Sequence, residues 1–480
     1  MTMLRLHGFA SVDIRGPRAL PLVGTARRFI SFLDDPVGVV LALRRMGDVV
    51  AVVDRNPAIV CVFGPERNRE VLSDPDTFHN PEDFFTGPDG SAREKMRAMV
   101  VTSNGADHRR RRRLMMPAFH RSALDGYAEE IVTLTRSLVG AWPRGEVVSL
   151  DGLCRELSLC IAVQCFYGVD VKRGASVLGQ TMAEFVRLVT SPANILFPFD
   201  LPGTPYRRGV QIGEDLASRM LALVESKRQS GGQRRDAMGL LLDARDEHGN
   251  GLTADEIVAL AVELFIAGSE TSSMALTWCL LLLDQHPRVL EALAAELSDV
   301  LGERDPSPAD LPKLRLLDRV VKETLRVLPA APILFLRSAT RDTMLGGKAI
   351  PKGANLVVSP LATHHDASLY PDPDRFLPDR WKEIEPSTYA YFPFGAGPRM
   401  CAGALFASQS VRLMLAMILQ RFHPRTVDAG PIDRRVRANI LNAQHGVHAR
   451  LCPVRANAAP AAPVRGNIHE LVKLESRGRS

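Results

Sequence analysis

The chain has 480 residues, of which 46% are hydrophobic and 24% charged, a composition typical of globular proteins and not of disordered ones. Its formal net charge of +6 is compatible with an acidic partner but is too small to indicate nucleic-acid binding. The seven cysteines are odd in number and lack the two-residue spacing of a zinc knuckle, so neither a disulfide framework nor a structural zinc site is expected.

The first 30 residues contain several arginines and no apolar run near the ~20 residues that span a bilayer, nor a signal-peptide core. The most apolar stretch, 257–283, is interrupted by Glu263 and by the polar run 269–273, which would be unfavourable in lipid. We therefore expect a cytoplasmic, monomeric protein without a membrane anchor.

Hydrophobic periodicity predicts a mainly α fold with small β-sheets (α+β). Two apolar runs, 49–53 and 59–63, predict a β-hairpin, and a second β-region is expected at about 344–358. Helical periodicity covers 128–140, 148–167, 210–228, 289–301, 314–328 and 404–421. No internal linker is visible, so we expect one domain over residues 1–452 and a flexible C-terminal tail over the Ala/Pro/Arg-rich segment 453–480.

Two polar runs admit more than one interpretation. The basic run His108–Arg113 is compatible with a nucleic-acid patch, although a solvated helix face is the usual explanation. The run His364-His365-Asp366 contains metal-binding residue types. Adjacent residues rarely point at one ion, so we favour a structural turn for the second run.

The best-defined helix is predicted from Thr253 to about Gln285. Thr253 as N-cap and Glu256 form a capping box, and Pro287 ends the helix. About 32 residues at 1.5 Å each span nearly 50 Å, so this apolar helix is expected to cross the middle of the domain. Polar residues midway along it, Glu270 among them, are not explained by a solvent-facing helix.

The segment 394–403, Phe-Gly-Ala-Gly-Pro-Arg-Met-Cys-Ala-Gly, carries the strongest signal. Its first two glycines and proline predict a tight turn, and the apolar helix that follows places Cys401 at a helix N-terminus, where a thiolate is favoured. A dinucleotide-binding loop would need glycine at Met400. A buried structural cysteine is the simplest alternative.

The pattern Phe-Gly-x-Gly-x-Arg-x-Cys-x-Gly resembles the haem-binding loop of the cytochrome P450 family. The resemblance implies a haem b (iron protoporphyrin IX) sandwiched between the long central helix and the helix after the cysteine loop, with Cys401 bonded to the iron. Phe394, Gly395 and Gly403 match cofactor-binding positions, and Gly403 would let the flat ligand approach the backbone. The chain departs from the family at Ser410, often glutamate, and at Ser269, often histidine.

The resemblance extends to a structural triad. Glu323 and Arg326 lie on one helix face at i,i+3, and the family completes the pair with the arginine of a Phe-x-Pro-(Glu/Asp)-Arg-aromatic stretch, which here is Arg380. Arg375 lies in a similar stretch, 373–376, that lacks the preceding Phe-x, so we exclude it. The triad is expected to tie the loop before the cysteine to the helix beneath the haem.

The centre of the long helix is similar to the family's oxygen-activation motif. Ala267 and Gly268 would leave room for dioxygen, Thr271 would return its hydroxyl to the carbonyl of Ala267, and Glu270 would deliver protons. Four further residues match positions that bind the haem propionates in soluble bacterial members: His108, Arg112, Arg337 and Arg399.

Electrons are expected from a separate ferredoxin or flavodoxin with its reductase. The remaining arginines of the run Arg109–Arg113 would face outward on the cysteine side of the haem and dock this acidic partner. The small net charge gives no reason to expect nucleic acid as a further partner.

The substrate pocket is expected in segments of low regularity and apolar composition. The family resemblance places these residues in it: Phe84, Phe85, Met96, Met99, Phe185, Ile195, Phe197, Phe199, Ile333, Leu334 and Leu441. Such a wall favours a hydrophobic substrate such as a fatty acid, terpenoid or polyketide. Glu263, one turn before Ala267, is compatible with contact to a polar substrate group, but a structural salt bridge is the favoured interpretation.

The function implied is a monooxygenase that inserts one oxygen atom from O2 by hydroxylation or epoxidation. One alternative is a peroxide-driven peroxygenase, although such members typically lack the acid–alcohol pair Glu270–Thr271. Another is a non-enzymatic haem gas sensor or carrier, which would have no use for that pair.

Overall fold

The computed structural model describes residues 11–18, 24–81, 87–169, 175–189, 191, 194, 199–229, 236–454 and 461–474. The α-helices are α1 (Gly24–Asp34), α2 (Pro36–Leu43), α3 (Pro65–Leu72), α4 (Ala92–Lys95), α5 (Gly105–Met115), α6 (Arg121–Gly140), α7 (Leu150–Tyr167), α8 (Ala175–Val189), α9 (Pro205–Gln229), α10 (Ala237–Asp243), α11 (Ala254–Gln285), α12 (Pro287–Leu301), α13 (Arg315–Val327), α14 (Pro360–His364) and α15 (Ala404–Leu419). The strands are β1 (Val49–Val53), β2 (Asn56–Val62), β3 (Phe78–His79), β4 (Val147–Ser149), β5 (Arg337–Ala339), β6 (Thr343–Leu345), β7 (Lys348–Ile350), β8 (Asn355–Val358), β9 (Phe422–Thr426), β10 (Arg434–Arg437), β11 (Ile440–Ala443) and β12 (His448–Pro453).

The largest sheet has five strands in the order β1-β2-β8-β5-β3. Strands β1 and β2 form the predicted antiparallel hairpin, and β2 runs parallel to β8 with Ile59 opposite Asn355 and Val62 opposite Val358. The β-region expected at 344–358 is divided, because β6 and β7 pair only with each other whereas β8 joins the large sheet. In the described residues, the sheet β4-β12-β9 and the hairpin β10-β11 complete the β-structure.

Helix α11 crosses the middle of the protein. The hydroxyl of Thr253 accepts a hydrogen bond from the N–H of Glu256, and the carboxylate of Glu256 accepts one from the N–H of Thr253, so the predicted capping box is present. Among the described helices, α11 alone is long and apolar enough to cross a membrane, but its side chains are mostly buried inside the protein. Helix α7 packs along it, and the Tyr167 hydroxyl donates to the carbonyl of Ala261 at 2.6 Å.

The C-terminal segment 461–474 packs against the domain, so the expectation of a flexible tail over 453–480 is wrong for these residues. Ile468, Leu471 and Val472 are fully buried, and the N–H of Lys473 donates to the carbonyl of Asp374 at 2.7 Å. The apolar side chains spaced along the segment form a buried face. The Ala/Pro/Arg-rich composition of the segment gave no indication of it. Residues 455–460 and 475–480 lie outside the described part of the chain.

Candidate active site

The cysteine loop is closed by a backbone hydrogen bond from the N–H of Cys401 to the carbonyl of Phe394 at 2.8 Å. Gly395 and Gly397 adopt φ angles of +73° and +72°, a region that favours glycine. A Cβ atom on Gly397 would lie 2.2 Å from the carbonyl oxygen of Leu72. The two glycines therefore permit both the turn and its close contact with the end of α3.

Cys401 differs from every other cysteine of the chain because it alone is exposed. Surrounding protein raises the pKa of its thiol, whereas the N–H of Gly403 and the charge of Arg112 lower it. We infer from this combination of accessibility and surrounding protein that Cys401 lies on the wall of an internal cavity. Gly403 itself faces the ring of Phe119, since a Cβ there would lie 3.3 Å from that ring, and its closeness to a flat ligand stays a prediction.

The opposite wall of the cavity is the centre of α11. Ala267 is exposed although most residues of the helix are buried, and the hydroxyl of Thr271, four residues on, donates to the carbonyl of Ala267 at 2.6 Å. The charge of Glu263, one turn earlier, acts on Cys401, so the two walls face the same space. The back-bond expected from the sequence is thus present.

Gly268 has a different environment from the one expected. A Cβ atom on Gly268 would lie 2.5 Å from the ring of Phe166 on α7. The absence of a side chain at Gly268 therefore allows α7 and α11 to approach each other. The side of α11 on which Gly268 lies is filled by Phe166, so it does not offer the room for dioxygen that was expected there. Ala267 alone of the two faces the cavity.

Glu270 points toward α7, where its carboxylate pairs with Arg155 at 3.1 Å. Arg155 also lies 4.0 Å from Asp151, one turn earlier on α7. The side chains of Glu270 and Arg155 are 35% and 42% exposed, so the pair is open to solvent. Glu270 and Thr271 thus occupy the solvent side and the cavity side of the same helical turn.

Four cationic or protonatable side chains gather beside the cavity without a carboxylate partner in the described part of the chain: His108, Arg112, Arg337 and Arg399. Burial lowers the pKa of Arg337 to about 9 and that of Arg399 to about 10, and each of these guanidinium groups also acts on its neighbours. Burial and the nearby arginines lower the pKa of His108 to about 4. The buried Nε of Arg399 has no hydrogen-bond partner.

This uncompensated positive charge fits an anionic ligand. Arg399 donates from Nη2 to the carbonyl of Ser103 at 2.9 Å, and Arg337 donates from Nη1 to the carbonyl of Phe335 at 2.8 Å, so neutral oxygens are their partners in the protein. Two carboxylates of a haem would supply the missing anions, and Cys401 would supply a thiolate to its iron. The residues present therefore fit the predicted cofactor.

The other arginines of the run 108–113 are each paired with an acidic side chain, which weakens the case for the expected docking face. Arg110 binds Asp246 at 2.9 Å and Glu256 at 3.0 Å, and Arg111 binds the same carboxylate of Glu256 at 3.0 Å. The exposed ends of the run are paired in the same way, Arg109 with Asp76 and Arg113 with Glu247. These acidic residues neutralise the run, which ties α5 to the start of α11.

The predicted triad surrounds a fully buried carboxylate, that of Glu323. Arg326 donates to both of its oxygens at 2.9 Å, and Arg380 donates to Oε1 at 2.9 Å. Two further donors to Glu323 were not predicted from the sequence. They are the indole N–H of Trp381 and the backbone N–H of Leu377, each at 2.9 Å. The aromatic position of the Phe-x-Pro-Asp-Arg-Trp stretch was the available signal for the indole.

Arg326 also donates to the main-chain carbonyls of His364, Pro373 and Arg375, which fastens the loop before the cysteine to α13. The side chain of Arg375 instead lies near Asp372, as its exclusion from the triad anticipated. His364 accepts from the N–H of Phe392, and no cluster of metal-binding side chains occurs in the described residues.

The predicted substrate-pocket residues divide into three groups. Phe185 and Leu441 are fully buried in the core and have no surface toward a cavity, so their assignment is wrong. Met96, Met99 and Ile333 are almost fully buried, Leu334 is half-buried beside Gly395, and Phe199 is 60% exposed. Phe84, Phe85, Ile195 and Phe197 lie outside the described residues.

Glu263 forms no ion pair within the described chain, so the favoured salt bridge is not found. Its two carboxylate oxygens accept hydrogen bonds from the backbone N–H groups of Val100 at 2.7 Å and Val101 at 2.9 Å. Burial raises its pKa to about 7, although these N–H groups and the charges of Arg112 and Arg111 oppose the shift.

The comparisons with known proteins place the chain in one family. The family model described as Cytochrome P450 matches residues 14–447. The chain is 32% identical to "Cyclooctatin synthase" of Streptomyces melanosporofaciens, over 87% of this chain and 91% of the relative, and 30% identical to "Pentalenene oxygenase" of Streptomyces avermitilis, over 85% and 90%. A further relative at 30% identity, over 86% and 89%, is "Cyclooctat-9-en-7-ol 5-monooxygenase" of Streptomyces melanosporofaciens. The solved structure "Retinoic acid bound cyanobacterial CYP120A1" superposes with a TM-score of 0.79 at 24% identity, over 92% of this chain and 100% of the neighbour.

Proposed function

The chain belongs to the cytochrome P450 family, and we propose that it is a monooxygenase that inserts one oxygen atom from O2 into a terpenoid. The terpenoid class is supported by relatives whose names specify cyclooctat-9-en-7-ol and pentalenene as substrates. The observation that carries the proposal is the cavity between Cys401 and Ala267, with Thr271 on its wall and four uncompensated cations at its edge.

In this proposal the cavity holds haem b, which when bound supplies the activation of oxygen at its iron. Cys401 provides the thiolate, which the N–H of Gly403 and the positive end of α15 stabilise. His108, Arg112, Arg337 and Arg399 bind the propionates, and the charge of two carboxylates compensates their mutual repulsion.

The acid–alcohol pair moves protons across α11. Thr271 holds a proton on Oγ1 at the cavity side, and its back-bond to Ala267 keeps that hydroxyl at one position. Glu270 has access to solvent and exchanges protons with it, and its carboxylate is paired with Arg155. The retention of this pair supports a monooxygenase over a peroxygenase or a gas carrier.

Monooxygenation consumes two electrons, and we assign their delivery to a separate ferredoxin or flavodoxin with its reductase. The protein is proposed to act in the cytoplasm. Because the arginine run is neutralised by acidic neighbours, no residue of that run is assigned to the docking of the redox protein.

Thiolate ligation is tested by reconstituting the purified chain with haem, reducing it and adding carbon monoxide. The wild type is expected to give the red-shifted Soret band of a thiolate complex, and Cys401→Ala is expected to lose it. Cys160→Ala is the matched control, because Cys160 is buried elsewhere and should leave the band unchanged. A wild type that binds haem without this band would refute the proposal.

A further inference from the structure

Glu263 is a partly buried carboxylate to which neither the fold nor the proposed chemistry assigns a role. It lies on α11 one turn before Ala267, and its side chain reaches the loop before α5. Each of its oxygens accepts one hydrogen bond, from Val100 N–H at 2.7 Å and from Val101 N–H at 2.9 Å.

Half of the hydrogen-bonding capacity of this carboxylate is unused. An ionised carboxylate offers about four lone-pair sites, and backbone donors occupy two of them. In the described part of the chain no lysine, arginine or histidine approaches it to ion-pair distance, and Arg111 and Arg112 act on it only as more distant charges. Its pKa is raised to about 7, as expected for a buried acid that its surroundings compensate incompletely.

Glu263 lies on the face of α11 that borders the cavity. Spacing i,i+4 places Glu263 on the same face of α11 as the exposed Ala267. Glu263 keeps accessible surface although protein surrounds it, the same combination that marks Cys401 as a residue of the cavity wall. The charge of Glu263 also raises the pKa of the Cys401 thiol.

We propose that Glu263 is the polar subsite of the substrate cavity and accepts a hydrogen bond from a hydroxyl group of a terpenoid alcohol. The inference rests on the proposed function and narrows its substrate class from terpenoids to hydroxylated terpenoids. A site that buries an acceptor discriminates strongly against an analogue without the donor, because the acceptor is then left unpaired. The two backbone donors fix the carboxylate so that its free lone pairs keep one direction.

The position of Glu263 also bears on where oxygen is inserted. Four residues along a helix separate it from Ala267 by about 6 Å along the axis. A hydroxyl held at Glu263 therefore orients the substrate so that a carbon several bonds away from that hydroxyl lies beside Ala267. The product is expected to be a diol with well-separated oxygens.

The test compares the sesquiterpene alcohol cedrol with the hydrocarbon α-cedrene by titration calorimetry, which does not depend on the haem spectrum. Wild-type holoenzyme is expected to bind cedrol at least tenfold more tightly than α-cedrene. Glu263→Leu is expected to lose that preference while its affinity for α-cedrene stays the same or rises. Asp255→Asn, which removes an exposed carboxylate from the same helix, is the control and should keep the preference.

Three outcomes would overturn the inference. The wild type could show no preference for cedrol, which includes a failure to bind it, or the preference could survive in Glu263→Leu. The variant could also lose affinity for cedrol and α-cedrene equally, which would mean that Glu263 only holds the loop. The carbon monoxide band of each protein is recorded in parallel. Loss of that band in the wild type would refute the monooxygenase proposal, whereas its retention with any of the three outcomes would refute only the role of Glu263.

Discussion

Two buried charge clusters of this protein differ in how completely their charges are compensated. The carboxylate of Glu323 receives donors from Arg326, Arg380, Trp381 and the backbone of Leu377, so its cluster is saturated from within the chain. The cationic cluster of His108, Arg112, Arg337 and Arg399 has no carboxylate of its own in the described residues. The saturated cluster is complete as folded, whereas the unsaturated one is suited to an anion from outside.

The basic run of α5 contains both situations within six residues. Arg110 and Arg111 point to Glu256 and are compensated, as are the exposed ends of the run. Arg112 alone of the five arginines has no ion-pair partner among the described residues, and at i,i+4 it shares a helix face with His108. Whether an arginine has an acidic partner within the protein thus indicates whether it has a structural or a ligand-binding role. The residue type alone does not distinguish the two roles.

The largest effect is expected from removal of Glu323. Glu323→Ala leaves Arg326 and Arg380 buried without their carboxylate, so the free energy of unfolding should fall by about 3–5 kcal/mol, as measured by denaturant unfolding. Arg375→Ala, which breaks only an exposed pair with Asp372, is the matched control and should change it by less than about 1 kcal/mol. Similar losses in the two variants would contradict the saturated-cluster interpretation.

A smaller effect is expected from pH on the unsaturated cluster. The pKa of His108 is lowered from 6.5 to about 4, so the unfolded chain binds the proton more tightly than the folded one. Neutral His108 therefore contributes stability that is present above pH 6.5 and is lost as the pH falls to about 4, by up to about 3 kcal/mol.

This contribution is measured on haem-free protein, by denaturant unfolding between pH 4 and 7, and compared with that of His108→Asn. The variant should show a flatter dependence on pH over this window. Bound haem should flatten the wild-type curve as well, because propionates favour protonated His108. Equal slopes in wild type and variant would mean that His108 is not held neutral by the cluster.

A third prediction concerns Arg337, a cation of the unsaturated cluster. Its removal should lower the affinity for haem and leave the stability of the fold unchanged. Arg337→Met relieves repulsion with Arg399, so unfolding of the haem-free protein should change by less than about 1 kcal/mol. Haem affinity should fall tenfold or more, because the variant loses about one charge-assisted hydrogen bond to a propionate.

The matched control is Arg93→Met, since Arg93 is also buried but lies over the ring of Tyr206, outside the cluster. Haem affinity, measured by competition with apomyoglobin, should not change in this variant. If Arg337→Met kept wild-type haem affinity, or lost stability as Glu323→Ala does, the two clusters would not differ in kind.

The fold and the chemical core of the site were predictable because short patterns encode them. The cysteine loop, the acid–alcohol pair and the capping box of α11 each depend on residues within ten positions, and the comparisons confirm the predicted fold. Short helices such as α1 and α3 were missed because a helix of two or three turns offers too few residues for periodicity to register.

What the sequence concealed were contacts between distant residues. The partners of Arg110 lie about 140 positions away, so a basic run read in isolation looked like an open surface. Gly268 is required by Phe166 of another helix, and the pocket residues Phe185 and Leu441 proved to be core because apolar side chains of the wall and of the core look alike in a sequence.

The smallest effect is expected at the exposed ends of the arginine run. Arg109 and Arg113 each have an acidic neighbour, so the net field that would steer an acidic redox protein is small, and salt screens it within about 8 Å at physiological ionic strength. The double variant Arg109→Gln/Arg113→Gln should therefore reduce the rate of reduction by a plant-type ferredoxin less than twofold, with an unchanged salt dependence, in stopped-flow measurements on the haem-loaded protein. Arg112 is kept in this variant so that haem binding is not disturbed. A tenfold slower reaction with a flatter salt dependence would restore the docking role first expected from the sequence, and would show that compensated charges can also serve recognition.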